Sequence, residues 1–361
     1  MHTIFTAGES LVGAGGGPST MTTESSRPAH HHAPVRIGIA GATGFTGQEL
    51  LRLLARHPGV NIATATSSSA ASAARRLPAL SHIWDGELTP LDVDALIRDT
   101  DLVFLALPDS AAAELAPRLV ESGVKVIDLS GAFRLRDEES RARWYPETHA
   151  MPPGLVYGLT EHFRDDVQSA RMVANPGCYP TASLLALRPL IKSGLLLTGT
   201  DIIIDAKSGV SGAGKTPSER THFSEVHGSM SAYGVLGHRH GVEIEQGLGK
   251  EVTFTPHLVP LDRGILATIY ARVAPGTPDA AIAEVLHEAY DRDTFVRLVG
   301  GALPQINHVA HTNFCDIGWK VNAAGRLILV SVIDNLLKGA SGQAVQNMNV
   351  MIGAAETTAL L

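Results

Sequence analysis

Residues 35–56 read VRIGIAGATGFTGQELLRLLAR and contain the clearest indication of the fold. An apolar, β-forming run at 35–40 leads directly into three glycines spaced G-x-x-G-x-x-G, and residues 48–56 then have the apolar spacing of a helix. In this context the first two glycines are expected to permit a tight turn and the close approach of a pyrophosphate, while the third lets helix and strand pack closely. The phosphates would lie at the helix N-terminus. The candidate cofactor-binding residues of the turn are Gly41, Thr43, Gly44, Phe45, Thr46 and Gly47.

The following residues continue to alternate between strand-like and helix-like patterns. Further strands are predicted at 61–66, 101–107 and 124–129, and a helix at 111–121. This β-α-β alternation predicts an α/β fold with a doubly wound, parallel, Rossmann-type sheet in a nucleotide-binding domain spanning residues 35–177.

The pattern changes near residue 178. Apolar runs at 202–206, 265–270, 314–317 and 327–331 are separated by loops rich in Gly, Pro and His. This part, residues 178–334, is predicted to be a second, catalytic α+β domain with a mostly antiparallel sheet. A last helix at 341–352, within the segment 335–361, is expected to return and complete the first domain.

The composition limits the class of protein. The 361 residues are 44% hydrophobic and 18% charged and carry a net charge of −7, which fits two buried cores and disfavours nucleic acid as a partner. No run approaches the length of a membrane-spanning helix. Two cysteines and no secretory signal favour the cytoplasm, and the scattered histidines predict no metal site. Residues 1–34, rich in Gly, Ser and Thr, are predicted to be a disordered extension.

The segment after the second predicted strand bears on the choice of nucleotide. NAD-binding folds usually carry an Asp or Glu here, which holds the ribose hydroxyls. This chain instead has TSSS at 66–69 and two arginines at 75 and 76. Hydroxyl and guanidinium groups suit a 2′-phosphate, so the sequence favours NADP, with Ser67 and Arg75 as candidate contacts. A polar loop with surface arginines is the alternative interpretation.

Cys178 is the candidate nucleophile. It lies directly before the apolar stretch ASLLAL at 182–187, so it is predicted to begin a helix. Unpaired backbone N–H groups and the positive end of the dipole at such a position stabilise a thiolate. With a nucleotide site upstream, this thiol indicates reduction of an acyl group through an enzyme-bound thioester. Cys315, within an apolar strand, is predicted to be a core residue.

Five motifs occur in a fixed order along the chain. NPGCYPT at 175–181 is the most specific, followed by GHRHGVEIEQ at 237–246. The others are DLSGAFRL at 128–135, KSGVSGAG at 207–214 and DNLLKGA at 334–340. Together they resemble the N-acetyl-γ-glutamyl-phosphate reductase family over residues 35–361. Many members of that family are acidic where this chain has Ala132 and carry proline where it has Val242.

The resemblance implies a reaction: N-acetylglutamyl 5-phosphate and NADPH give N-acetylglutamate 5-semialdehyde, NADP and phosphate, in arginine biosynthesis. Cys178 would displace phosphate and form the thioester. His240 would be the acid–base group and His238 a substrate contact, with the opposite order, or a structural role for one of them, left open. The family further implies a homodimer or homotetramer. The remaining candidates are Ser130, Arg134 and Asn175 for substrate, and Ser208, Gly209 and Asn335 for cofactor.

Three other functions fit parts of the sequence. Aspartate-semialdehyde dehydrogenase shares the thiol chemistry, but the histidine motif at 238–240 argues against it. A reductase of carrier-bound aminoadipyl phosphate would be expected to carry a basic surface for its acidic carrier, and this chain is acidic overall. A non-catalytic NADP sensor would keep the glycine turn and would not need Cys178 or His240.

Overall fold

The first sheet is built from the part of the chain that contains the glycine turn. The computed structural model describes residues 33–67 and 74–361. Its six parallel strands have the order β2-β1-β3-β4-β6-β5. The strands are β1 Val35–Ala40, β2 Val60–Thr66, β3 Leu102–Leu105, β4 Lys125–Asp128, β5 Leu155–Tyr157 and β6 Met172–Ala174.

Ten α-helices accompany the two sheets in the described residues. Those of the first sheet are α1 Phe45–Leu54, α2 Val93–Asp99, α3 Asp109–Glu121, α4 Glu138–Trp144 and α5 Thr160–Ser169. The others are α6 Cys178–Lys192, α7 Phe223–Val226, α8 Arg239–Leu248, α9 Asp279–Tyr290 and α10 Gly342–Met351. Helix α1 packs on one face of the first sheet and α3 on the other, so the sheet is covered on both sides as a doubly wound fold requires.

The second sheet is mixed. Its seven strands have the order β11-β12-β13-β10-β7-β9-β8. They are β7 Ile203–Gly209, β8 Ser231–Ala232, β9 Thr253–Val259, β10 Ile265–Arg272, β11 Val296–Gly300, β12 Cys315–Val321 and β13 Arg326–Ile333. Two pairs, β7 with β9 and β11 with β12, are parallel and the other neighbours are antiparallel. Helix α6 packs its apolar residues against this sheet.

The end of the chain returns to the first sheet. A π-helical turn, Leu337–Ser341, follows β13 and leads into α10. Val345 and Met348 of α10 pack in the same apolar core as Ile37 of β1 and Leu50 of α1. The described part of the chain from Pro34 to Leu361 is therefore one compact unit that contains both sheets.

This architecture confirms the predicted fold class. The parallel sheet and the mostly antiparallel second sheet are both present. The helix predicted at 341–352 is present as α10, and the π-helical turn that precedes it was not predicted. The predicted extension lies outside the described residues up to residue 32, and so do residues 68 and 69 of the proposed nucleotide-contacting loop. Between 33 and 361, excluding 68–73, no helix is long and apolar enough to cross a membrane.

Candidate active site

A cavity of about 400 Å³ lies where the two sheets meet. One wall is the glycine turn and the loops that follow β3 and β4, at the carboxyl edge of the parallel strands, where doubly wound folds bind ligands. The second wall is residues 211–215 after β7 and the start of α8. Gly177 and Cys178, at the start of α6, complete the lining together with the segment 335–340.

Cys178 is the first residue of α6 and is partly exposed. Two glycines allow neighbouring groups to come this close. A Cβ on Gly177 would lie 2.6 Å from His240 Nε2, and a Cβ on Gly339 would lie 2.8 Å from Cys178 Cβ. Both positions therefore exclude any larger residue, and the thiol is held between the start of α6 and the π-helical turn.

The protonation state of Cys178 differs from the expectation that its helix position would favour the thiolate. Burial raises the pKa of the thiol to about 11, against the opposing effects of the Arg134 guanidinium and the Tyr179 backbone N–H. The helix N-terminus contributes as expected, but loss of water outweighs it. A thiol with this pKa is neutral at pH 7, so its reaction as a nucleophile would require a base.

His240 is the predicted acid–base residue, and the structure places it in the same cavity as Cys178. It lines the cavity, and its Nε2 lies 3.5 Å from Arg134 Nη1, which can only donate, so the contact requires an unprotonated Nε2. Burial, aided by the neighbouring cations, holds the pKa of His240 well below its ordinary value, so the ring is neutral near pH 7. Among the described residues, its buried Nδ1 has no hydrogen-bond partner.

His238 has a different position from His240. Its Nδ1 accepts a hydrogen bond from the His240 backbone N–H at 3.0 Å, which caps the N-terminus of α8. It packs in an aromatic group with Tyr179, Tyr233 and Phe254 and lines a separate cleft. The structure thus places His238 behind His240 and outside the cavity that holds Cys178, in contrast to the predicted substrate contact.

Arg134 and Ser130 both line the cavity, after β4. Arg134 is buried: Nε donates to Asn175 O and Nη2 to Leu129 O, each at 2.8 Å. Ser130 Oγ donates to Asp128 Oδ2 at 2.8 Å and accepts from the Ala132 N–H. Burial raises the pKa of Asp128 to about 6, opposed by the hydrogen bonds that Asp128 accepts from the Ser130 hydroxyl and backbone N–H. The loop is therefore held rigidly beneath the cavity.

Asn175 was expected to contact substrate, but it lies behind the cavity wall. It is fully buried, its Nδ2 donates to Ala340 O at 3.1 Å, and its Oδ1 accepts from Asn347 at the same distance. Both the amide nitrogen and the amide oxygen are therefore hydrogen-bonded within the protein. The side chain ties the loop before Cys178 to the π-helical turn and to α10.

Glu243 is a site residue to which the sequence reasoning gave no role. Its Oε1 accepts from the Gly177 N–H at 2.9 Å and from the Tyr157 hydroxyl at 2.7 Å, and its Oε2 lies 3.5 Å from Arg134 Nη1. The sequence feature that could have identified Glu243 is its position three residues after His240, which places both side chains on one face of α8. Glu243 fixes the loop that precedes Cys178.

The glycine turn has the geometry of a nucleotide site. Gly41 has φ +89°, and a Cβ there would collide with Ala106 O, while a Cβ on Gly47 would collide with Gly41 O. A Cβ on Gly44, in contrast, meets only Gly41 O at 3.7 Å and otherwise faces open space. Among the described residues no side chain caps α1. Open space beside uncapped N–H groups is what a pyrophosphate requires, so these residues fit a dinucleotide.

The other predicted cofactor residues divide into two groups. Phe45, Thr46 and Asn335 line the cavity, although the Asn335 amide is used by the Gly264 N–H and by Ser211 Oγ. In the loop after β7, the lining residues are 211–215, and the predicted Ser208 and Gly209 lie behind them. Gly41, Thr43, Ser67 and Arg75 are also outside this cavity's walls.

Two family models match the chain in succession. Residues 36–170 match the semialdehyde dehydrogenase NAD binding domain, and residues 178–335 match the semialdehyde dehydrogenase dimerisation domain. N-acetyl-gamma-glutamyl-phosphate reductase of Desulforapulum autotrophicum is 47% identical over 338 residues, covering 90% of this chain and 98% of the relative. The same-named proteins of Brevibacillus brevis and Bacillus anthracis are 47% and 42% identical, with the same two coverages.

The chain belongs to the N-acetyl-gamma-glutamyl-phosphate reductase family. It is accordingly an oxidoreductase of the semialdehyde dehydrogenase type. Solved structures extend the likeness at the level of the fold. Aspartate semialdehyde dehydrogenase II of Vibrio cholerae, complexed with ASA, superposes with a TM-score of 0.66 at 17% identity, covering 89% of this chain and 99% of that one. The aspartate semialdehyde dehydrogenase of Candida albicans, solved with NADP, superposes with a TM-score of 0.66 at 16% identity and with the same two coverages.

Across 33–67 and 74–361, no group of three or more His, Cys, Asp or Glu side chains is arranged to hold a metal ion.

Proposed function

We propose that this protein catalyses the NADPH-dependent reduction of N-acetyl-L-glutamyl 5-phosphate to N-acetyl-L-glutamate 5-semialdehyde, with release of phosphate, in arginine biosynthesis. The observation that carries the proposal is that Cys178 and His240 line one cavity with the glycine turn. The names of relatives 42–47% identical to the chain support the choice of substrate.

The first half of the reaction uses the neutral thiol. His240 accepts the proton of Cys178, directly or through the bound reactants, and the sulfur attacks the acyl carbon of the acyl phosphate. The carbon–oxygen bond to phosphate breaks, phosphate leaves with the bonding electrons, and a thioester remains on Cys178. The backbone N–H of Tyr179 and the Arg134 guanidinium, both of which lower the pKa of Cys178, stabilise negative charge on the sulfur.

The second half reduces the thioester. NADPH, when bound, supplies the hydride. His240 then holds or moves the proton on the oxygen of the resulting thiohemiacetal, the carbon–sulfur bond breaks, and Cys178 regains its proton. Glu243 and Arg134 keep the loop before Cys178 in place through both halves, because they bond to Gly177 N–H and Asn175 O respectively.

We propose that the cofactor is NADP rather than NAD. The family model names an NAD binding domain, and the Candida albicans structure that shares the fold was solved with NADP. Ser67 is buried at the end of β2 and Arg75 is exposed beyond it, consistent with a polar site at this edge.

We also propose a homodimer or homotetramer formed through residues 178–334, supported by the matched dimerisation domain, and a cytoplasmic location, based on two free cysteines.

The reverse reaction tests this proposal. Wild-type protein supplied with N-acetylglutamate semialdehyde, phosphate and NADP is expected to form NADPH, measured by its absorbance. Aspartate semialdehyde is expected to give little activity, and NAD is expected to have a higher KM than NADP because it lacks the 2′-phosphate. Activity only with aspartate semialdehyde would overturn the substrate. If folded protein that binds NADPH is inactive with both semialdehydes, a carrier-bound substrate or a sensor function would be favoured.

A further inference from the structure

Arg239 lies between the two histidines and was not among the predicted site residues. It is the first residue of α8 and lines the same cavity as Cys178 and His240. Its side chain is 45% exposed, so a ligand in the cavity can reach it. A guanidinium beside the acid–base residue is positioned to fix one end of a substrate whose other end reacts.

Arg239 differs from Arg134, the other arginine of the cavity, in how many of its donors are engaged, and from Lys215 in offering a planar fork of donors. Arg134 is buried, with Nε and Nη2 bound to carbonyl oxygens and Nη1 near Glu243. Lys215 Nζ donates to Thr43 O at 3.1 Å. Among the described residues, the Arg239 side chain makes one hydrogen bond, from Nη1 to Asp109 Oδ2 at 2.6 Å. Since a guanidinium has five N–H donors, most of those of Arg239 remain for an anion.

Asp109 holds Arg239 in a pair that a ligand can displace. Asp109 is the first residue of α3, and its Oδ1 accepts from the Gly131 N–H at 2.6 Å, so it is fixed independently of Arg239. The side chains of the pair are 45% and 33% exposed, and exposed ion pairs contribute little free energy. A carboxylate in the cavity can therefore share or replace Asp109 at modest cost.

We propose that Arg239 binds the α-carboxylate of the N-acetylglutamyl chain and thereby selects the substrate. This inference rests on the proposed function. The planar fork of an arginine matches a carboxylate bidentately. The α-carboxylate stays with the chain through both halves of the reaction, whereas phosphate leaves after the first. An anchor next to His240 therefore keeps the acyl carbon between the thiol and the imidazole until the aldehyde is released.

The reverse reaction separates the two anions, because semialdehyde and phosphate are distinct reactants. Arg239→Gln is expected to raise the KM for N-acetylglutamate semialdehyde by roughly 10- to 100-fold, the range for a hydrogen bond to a charged group, with the KM for phosphate close to that of the wild type. Arg239→Lys should recover part of the loss. The α-carboxamide analogue of the semialdehyde should be used equally poorly by the wild type and Arg239→Gln.

Two further variants are matched controls. Asp109→Asn removes the internal competitor and is expected to leave the KM for semialdehyde unchanged or lower it. Arg118→Gln, which alters an exposed arginine farther along α3, should change neither KM. Thermal midpoints of all variants show that they are folded.

Several outcomes would overturn the inference. A rise in the KM for phosphate alone would assign Arg239 to the leaving group. Equal loss in Asp109→Asn and Arg239→Gln would make the pair a structural bridge, and an unchanged KM for semialdehyde would remove Arg239 from binding. If wild-type protein does not turn over the acetylated semialdehyde at all, the proposed function fails instead.

Discussion

Cys178→Ala is expected to lower turnover by at least about 10⁴-fold, because removing a nucleophile removes the covalent route entirely. NADPH binding, measured by fluorescence titration, is expected to persist, since the glycine turn is on the other wall of the cavity. Cys178→Ser should also be nearly inactive, because a hydroxyl is a far weaker nucleophile than a thiolate at neutral pH. Both variants should fold, since the side chain is small and partly exposed.

The other cysteine is the matched control for this prediction. Cys315 lies in β12, fully buried, with its Sγ 3.5 Å from Ser331 Oγ. Burial raises the pKa of its thiol to about 12, which makes it unreactive. Cys315→Ala should keep turnover close to that of the wild type and lose only some stability. Turnover that survives in Cys178→Ala, or disappears equally in Cys315→Ala, would contradict the assignment of the nucleophile.

Lys338→Met is expected to lower the free energy of unfolding by about 3–5 kcal/mol, because it leaves a buried charge without its partner. Lys338 and Glu161 are both fully buried, with 2.5 Å between Nζ and Oε1. Burial alone would raise the pKa of Glu161, but Lys338 and Gln346 hold it below its usual value. Chemical unfolding of the full chain at fixed protein concentration measures the loss.

Two further variants test the cause of that loss. Glu161→Gln combined with Lys338→Met leaves no buried charge and is expected to regain part of the stability. Lys192→Met removes an exposed lysine that is repelled by Arg188 and should change stability by less than about 0.5 kcal/mol. If Lys338→Met unfolds at the same denaturant concentration as the wild type, the buried pair does not hold the π-helical turn.

The fold was predictable where local pattern and tertiary role agree. The strand, glycine turn and helix at 35–56 each follow from spacing alone, and the structure has all three. Strand β9 was not predicted, because Pro256 within it ordinarily argues against a strand. It is tolerated near the edge of the sheet, where only the two-residue β8 lies beyond it. The π-helical turn depends on contacts with α5 and Cys178 that are distant in sequence.

The location of the predicted site residues followed from the sequence better than their pKa values did. Cys178 was predicted from its place at a helix start and His240 from the histidine motif of the family, and the structure brings both to one cavity. The raised pKa of the thiol was not foreseen. The helix start, which lowers this pKa, is visible in the sequence, whereas the opposing loss of water around the thiol depends on the whole fold. Asn175 and Glu243 show the same limit: whether a polar side chain faces the ligand or supports the wall is decided by tertiary packing.

A single-turnover experiment without phosphate tests most directly the claim that Cys178 carries the acyl group. N-acetylglutamate semialdehyde and NADP are mixed with the enzyme, NADPH is followed by absorbance, and the protein is then analysed by mass spectrometry. If Cys178 carries the acyl group, the reaction is expected to give a burst of a single equivalent of NADPH per subunit and a protein heavier by one N-acetylglutamyl group, located on the peptide that contains Cys178. NADPH formation that leaves the protein unmodified, or an adduct on another residue, would contradict it.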